Sequence, residues 1–205
     1  MTTMNKSRKT KAKKPPIRMP TKAQVAGAIE TMMAPSGGER FGAGKAVYVT
    51  AEKDPARVYP YFDQIASLLD SKSKIMRWES LRTLGVLAAV DGDKKLDAHL
   101  PKYLAFIRGD NMISAANAVK GASLIAQARP DVLDRVLKSY LAVERAEYET
   151  DECRNVVIGQ VLDSLESLGP QVCNRPKVKA FIKRQQKNTR ASVAKCAKRL
   201  TAELN

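Results

Sequence analysis

Residues 54–91 read DPARVYPYFDQIASLLDSKSKIMRWESLRTLGVLAAVD, and this stretch decides the fold. Asp54-Pro55 is a helix start, with a carboxylate at the N-cap and a proline at N1, where the missing N–H costs nothing. Val58, Tyr61, Phe62, Ile65 and Leu68/Leu69 then form an apolar stripe, with Pro60 placed to bend the helix. A polar turn, Asp70-Ser71-Lys72-Ser73, leads into a second helix with Ile75, Trp78, Leu81, Leu84 and Ala88 at spacings of three and four. Asp91-Gly92-Asp93 ends it. The unit is a pair of antiparallel helices.

Working outward, the pattern recurs on both sides. Upstream, Thr21-Lys22-Ala23-Gln24 fits a capping box and opens a helix through Val25, Ala28, Ile29 and Met32. Pro35-Ser36-Gly37-Gly38 ends that helix, and a second follows from about Arg40 to Glu52. Downstream, a helix around 96–107 containing Pro101 precedes an Ala-rich partner over 112–127. Pro130 opens the next helix, paired with 153–168, and Asn174-Arg175-Pro176 opens 178–186, paired with 189–204. No segment sustains period-two alternation, so no sheet is expected. Residues 75–88 align with 38–51 at an offset of 37, with 113–126 at 38 and with 153–166 at 78, nearly two repeats. A period of that size per helix pair marks an alpha-solenoid.

The repeated unit resembles a HEAT repeat of the HEAT/armadillo-like class. The residues that carry the likeness are Pro60 in the first helix, Asp70 in the turn and Arg77 early in the second helix, followed by Leu81-Arg82-Thr83-Leu84-Gly85. The resemblance implies an all-α fold, a right-handed alpha-alpha superhelix of about five helix pairs over 21–205; composition sets a disordered basic tail at 1–20 ahead of it. It also implies that Asp70 and Arg77 tie the turn and that second helices line the concave surface. Arg40 repeats Arg77; Ala115 and Asn155, at the aligned positions, do not. Such a pattern specifies a fold better than a function.

Charge supplies the functional signal. The net charge of +15 divides into +8 over residues 1–22, −2 over 23–174 and +9 over 175–205. The protein reads as a near-neutral body with two basic ends, and basic ends attract polyanions. The tail cluster is Lys6, Arg8, Lys9, Lys11, Lys13 and Lys14, in a segment too poor in apolar residues to offset its own ordering. The final helix pair carries Lys177, Lys179, Lys183, Arg184, Lys187, Arg190, Lys195, Lys198 and Arg199, with no acid over 175–202. A polar cap on a terminal repeat explains charge there but not its single sign. Lys45, Arg82 and Lys120 share one register position in three successive second helices, broken at Gln160. Such a ladder would follow a phosphodiester backbone; the alternative is that these are solvated helix edges.

Other features point away from catalysis. GGERFGAGKAV (37–47) lacks the spacing, the hydroxyl residue after lysine and the preceding strand of a phosphate-binding loop. His99 is the single histidine and cannot supply a paired-iron or zinc ligand set. Trp78, with Arg77, Glu79 and Arg82, invites comparison with HEAT-like DNA glycosylases, but it lies at a core position of its helix and reads as packing. Cys153, Cys173 and Cys196 are spaced neither as a disulfide framework nor as metal ligands and fit buried or half-buried thiols in a reducing compartment. The expectation is therefore a cytoplasmic, non-catalytic module without cofactor or metal, its oligomeric state left open by the sequence. Its expected partner is nucleic acid, bound through the phosphate backbone; the alternatives are an acidic protein on a scaffold and, third, base excision.

Overall fold

The computed structural model describes residues 19–109 and 111–204, and these are all-helical, with no strand among them. The basic cluster Lys6–Lys14 lies outside the described residues.

Local chemistry sets most of the boundaries. Helix α1 (Lys22–Met33) begins with the capping box: Gln24 N–H donates to Thr21 Oγ1 at 3.2 Å, and Thr21 N–H donates to Gln24 Oε1 at 2.8 Å. Gly37, at φ +121°, turns the chain into α2 (Glu39–Lys53), in the left-handed region that glycine occupies without a Cβ clash. Asp54 caps α3 (Pro55–Val58) by accepting from Arg57 N–H at 3.2 Å. Pro60 does bend this segment: a 3₁₀ turn at Tyr59–Tyr61 separates α3 from α4 (Phe62–Ser67). Ser73 caps α5 (Lys74–Leu87), and Asn111 caps α7 (Met112–Ala128) behind α6 (Leu96–Ala105). The remaining helices are α8 (Leu133–Leu141), α9 (Asp151–Leu168), α10 (Pro170–Cys173), α11 (Pro176–Gln185) and α12 (Ala191–Glu203). The short α10, entered through Gly169 at φ +93°, is an addition to the expected element order.

The helices pack in two layers. Second helices follow one another side by side: α2 on α5, α5 on α7, α7 on α9 and α9 on α12. First helices form the other layer, α1 against α3 and α4, α6 against α8, and α8 against α11. The core between the layers is aliphatic, built from residues such as Ile29, Ile65, Leu84, Ile125, Val136, Leu165 and Ile182, with Phe62, Tyr103, Tyr140 and Phe181 as its large rings. Tyr103 and Tyr140 occupy equivalent places. Each is fully buried and donates its hydroxyl to a second-helix carbonyl of the preceding pair, Leu81 O at 2.8 Å and Val119 O at 2.6 Å. These bonds satisfy carbonyls that would otherwise be shared only within the helix. Burial pushes both phenols up.

Helices α5 and α7 meet backbone to backbone. A Cβ on Gly85 would lie 2.5 Å from Gly121 Cα, and one on Gly121 would lie 1.9 Å from the Tyr103 hydroxyl. The glycines thus set the approach of these two helices.

Candidate functional site

Arginines early in the second helices fold the turns of their own pairs. Arg40 Nε donates to Met32 O at 3.2 Å, Arg77 Nη1 to Ser71 O at 3.0 Å, and Arg154 Nε to Ala146 O at 2.8 Å. The copy in α9 is therefore Arg154, one residue before the aligned Asn155, so the sequence alignment there is out of register by one. Asn155 instead donates to Thr189 Oγ1 at 2.9 Å. Asp70 does not tie the turn to Arg77 as expected. It pairs with Lys102 of the next helix pair, while Arg77 takes the backbone carbonyl.

Seven ion pairs among the described residues span 32 to 41 positions, about one repeat: Asp63–Lys95, Asp70–Lys102, Asp97–Arg129, Asp134–Arg175, Glu144–Arg184, Glu152–Arg190 and Glu166–Arg199. In every one the acid belongs to the earlier position and the base to the later. Glu144 takes Arg184 in a two-pronged bond, Nε at 3.0 Å and Nη2 at 2.7 Å, and also accepts from Gln185 at 2.6 Å. The Arg199 guanidinium holds the Glu166 carboxyl below its ordinary range.

This ladder sorts the basic terminal pair. Its four arginines, Arg175, Arg184, Arg190 and Arg199, are all committed to acids of the preceding helices. The single-signed run over 175–202 is thus partly neutralised by acids distant in sequence. The lysines differ. Lys177, Lys183, Lys187, Lys195 and Lys198 are exposed and have no salt bridge among the described residues. Lys179, half-buried, donates to Leu204 O at 3.3 Å.

The register ladder of second-helix cations is not uniform either. Lys45 and Lys120 are exposed, but Arg82 is bonded to Glu79 at 3.2 Å and lies over the Tyr48 ring at 3.7 Å from its centroid. Glu79 is nearly buried, and desolvation pushes its carboxyl up against the opposing pull of Arg82 and Lys45. The middle rung is therefore a local α2–α5 clasp.

Trp78 is half-buried rather than in the core. Its Nε1–H donates to Ser114 Oγ at 2.9 Å, and Ser114 donates on to the N-cap Asn111 at 3.0 Å, so the indole joins α5 to the start of α7. His99 is half-buried with its ring near Phe62. Cys173 is buried, and Cys153 and Cys196 are half-buried and free. Asp163, Glu166 and Cys196 come within 4.8 Å of one another, in a cluster whose Glu166 oxygens are engaged by Arg199. No helix among the described residues is long and apolar enough to cross a membrane.

One feature escaped the sequence reading. A groove of about 1360 Å³ runs between α8 and α11, bordered by Arg108, Lys138, Arg145 and Lys177. Its cations lie on separate segments, Arg108 ahead of α7, Lys138 on α8 and Arg145 beyond it, so no local motif marks it. No protein-family model matches this chain, and no curated protein matches it.

Proposed function

We propose that this chain is a non-catalytic, HEAT-like binding module whose terminal helix pair holds the phosphate backbone of nucleic acid without reading its sequence. The side-by-side order of second helices supports the solenoid reading, as do the repeat-spaced ion pairs and the recurring Arg40, Arg77 and Arg154. The right-handed superhelix belongs to the same proposal.

The observation that carries the function is the division of the α11–α12 cations. Arginine, a planar fork suited to fixed carboxylate geometry, is used in ion pairs that join the terminal helix pair to the preceding helices. Lysine, a flexible point charge, is left facing solvent at Lys177, Lys183, Lys187, Lys195 and Lys198. A surface of mobile ammonium groups neutralises phosphates and releases counterions, and it gives affinity without base readout. Lys45 and Lys120 are secondary contacts in this proposal. Base excision draws less support, because the Trp78 indole N–H is committed to Ser114 and the Glu79 carboxylate to Arg82.

The test is a fluorescence-anisotropy titration of duplex DNA oligonucleotides of two unrelated sequences, repeated over a series of salt concentrations. Both duplexes should bind alike, with Kd on the order of 10⁻⁴–10⁻⁶ M near physiological salt and much tighter at low salt. Absence of binding at low salt removes the proposal.

A further inference from the structure

The α8–α11 groove has a composition that phosphate binding does not require. Its floor is apolar: Leu137 and Leu141 stand one turn apart on α8, beside Ala142, and Val178 faces them from α11. Its rim is cationic. Arg108, Lys138, Arg145 and Lys177 are exposed and have no salt bridge among the described residues. Two of the lining acids, Asp134 and Glu144, are already paired with Arg175 and Arg184, which leaves Glu147 as the single opposing carboxylate among the described lining residues. A smaller cavity of about 320 Å³ continues the trough toward α6 and shares Ala105, Arg108, Lys138 and Ala142 with it.

The groove sits where the repeat lengthens. The ion pairs beside it, Asp134–Arg175 and Glu144–Arg184, span 41 and 40 positions, against 32 for Asp63–Lys95 and Asp70–Lys102. The added α10, packed on α9 and α11, supplies that extra chain.

From this geometry we infer that the groove is a docking site for an acidic amphipathic helix of a partner protein. Leucine-type side chains at i and i+4 would cover Leu141 and Ala142, the half-buried part of that floor, and flanking carboxylates would meet the four rim cations. Nucleic acid is the poorer fit, since a phosphate backbone gains nothing from an aliphatic floor. The chain's own N-terminus is excluded by charge, because residues 1–18 contain seven bases and no acid.

The full-length protein is titrated into a fluorescein-labelled synthetic peptide with Leu at helical i, i+3 and i+4 positions and Glu elsewhere, and into a scrambled peptide of equal composition. The patterned peptide should bind saturably and at least about tenfold tighter than the scrambled one. Lys138→Glu/Arg145→Glu should weaken it by about tenfold or more, with the helical circular-dichroism spectrum unchanged. Leu141→Gln should weaken it while leaving the rim charge intact. Equal binding of the two peptides, or insensitivity to the Lys138→Glu/Arg145→Glu double variant, would overturn the assignment.

Discussion

Gly85 and Gly121 show how little room single positions leave. Gly121→Ala would force a Cβ into the Tyr103 hydroxyl and toward Leu81 O, and Gly85→Ala would force one into Gly121 Cα. Each should cost about 1–3 kcal/mol or more, visible as a lowered urea midpoint. Gly27→Ala and Gly42→Ala, with open space around the added carbon, should instead gain about 0.5–1 kcal/mol from helix propensity. If all four variants had equal stability, the close α5–α7 approach would be wrong. The caps at Thr21 and Asp54 were legible in the sequence because donor and acceptor lie three residues apart. The Tyr103 and Tyr140 bonds were not, because their acceptors lie 22 and 21 residues back on another helix. Trp78 was misplaced for a related reason: helical spacing gives a side, but the indole's exposure depends on how far α7 covers it.

The helices themselves, α10 apart, were legible from local start and stop signals and from apolar stripes. What joins one pair to the next was not. Periodicity cannot show that Arg184 meets Glu144, or that the terminal arginines are consumed by the fold. Nor could alignment separate Arg154 from Asn155, because a one-residue slip changes few apolar matches in α9. Carboxyls held by such pairs, and by local hydrogen bonds, have a consequence in acid. Glu166 is held low by Arg199, Asp131 by Arg129, and Glu149 by backbone and neighbouring hydrogen bonds. Depressed carboxyls bind protons more readily in the unfolded chain, so their stabilisation is present above the ordinary carboxylate pKa and is lost as pH falls through the lowered folded values. Thermal melts should therefore drop progressively below about pH 5. Arg199→Met should make that fall shallower by returning Glu166 toward its ordinary range. The change should be modest, as solvent screens exposed pairs. A variant with the same acid slope as the parent would remove Arg199 from the account.

Across the molecule, a body near neutrality supports a terminal helix pair whose free charge is carried by lysine. The sequence located that charge, because charge runs are local; it overcounted it, because the neutralising acids stand about one repeat upstream. It missed the α8–α11 groove altogether, since Arg108, Lys138 and Arg145 are separated by more than a helix turn and converge only when α6, α8 and α11 pack. The central claim is that the lysines of α11 and α12, rather than net charge alone, hold phosphate. The direct test compares the salt dependence of duplex binding for the parent protein and for a variant with Lys177, Lys183, Lys187, Lys195 and Lys198 all changed to Gln. The account predicts that the slope of log K against log salt falls in magnitude by about 4.5, close to 0.9 for each phosphate contact removed. An unchanged slope in a variant that remains folded would contradict it.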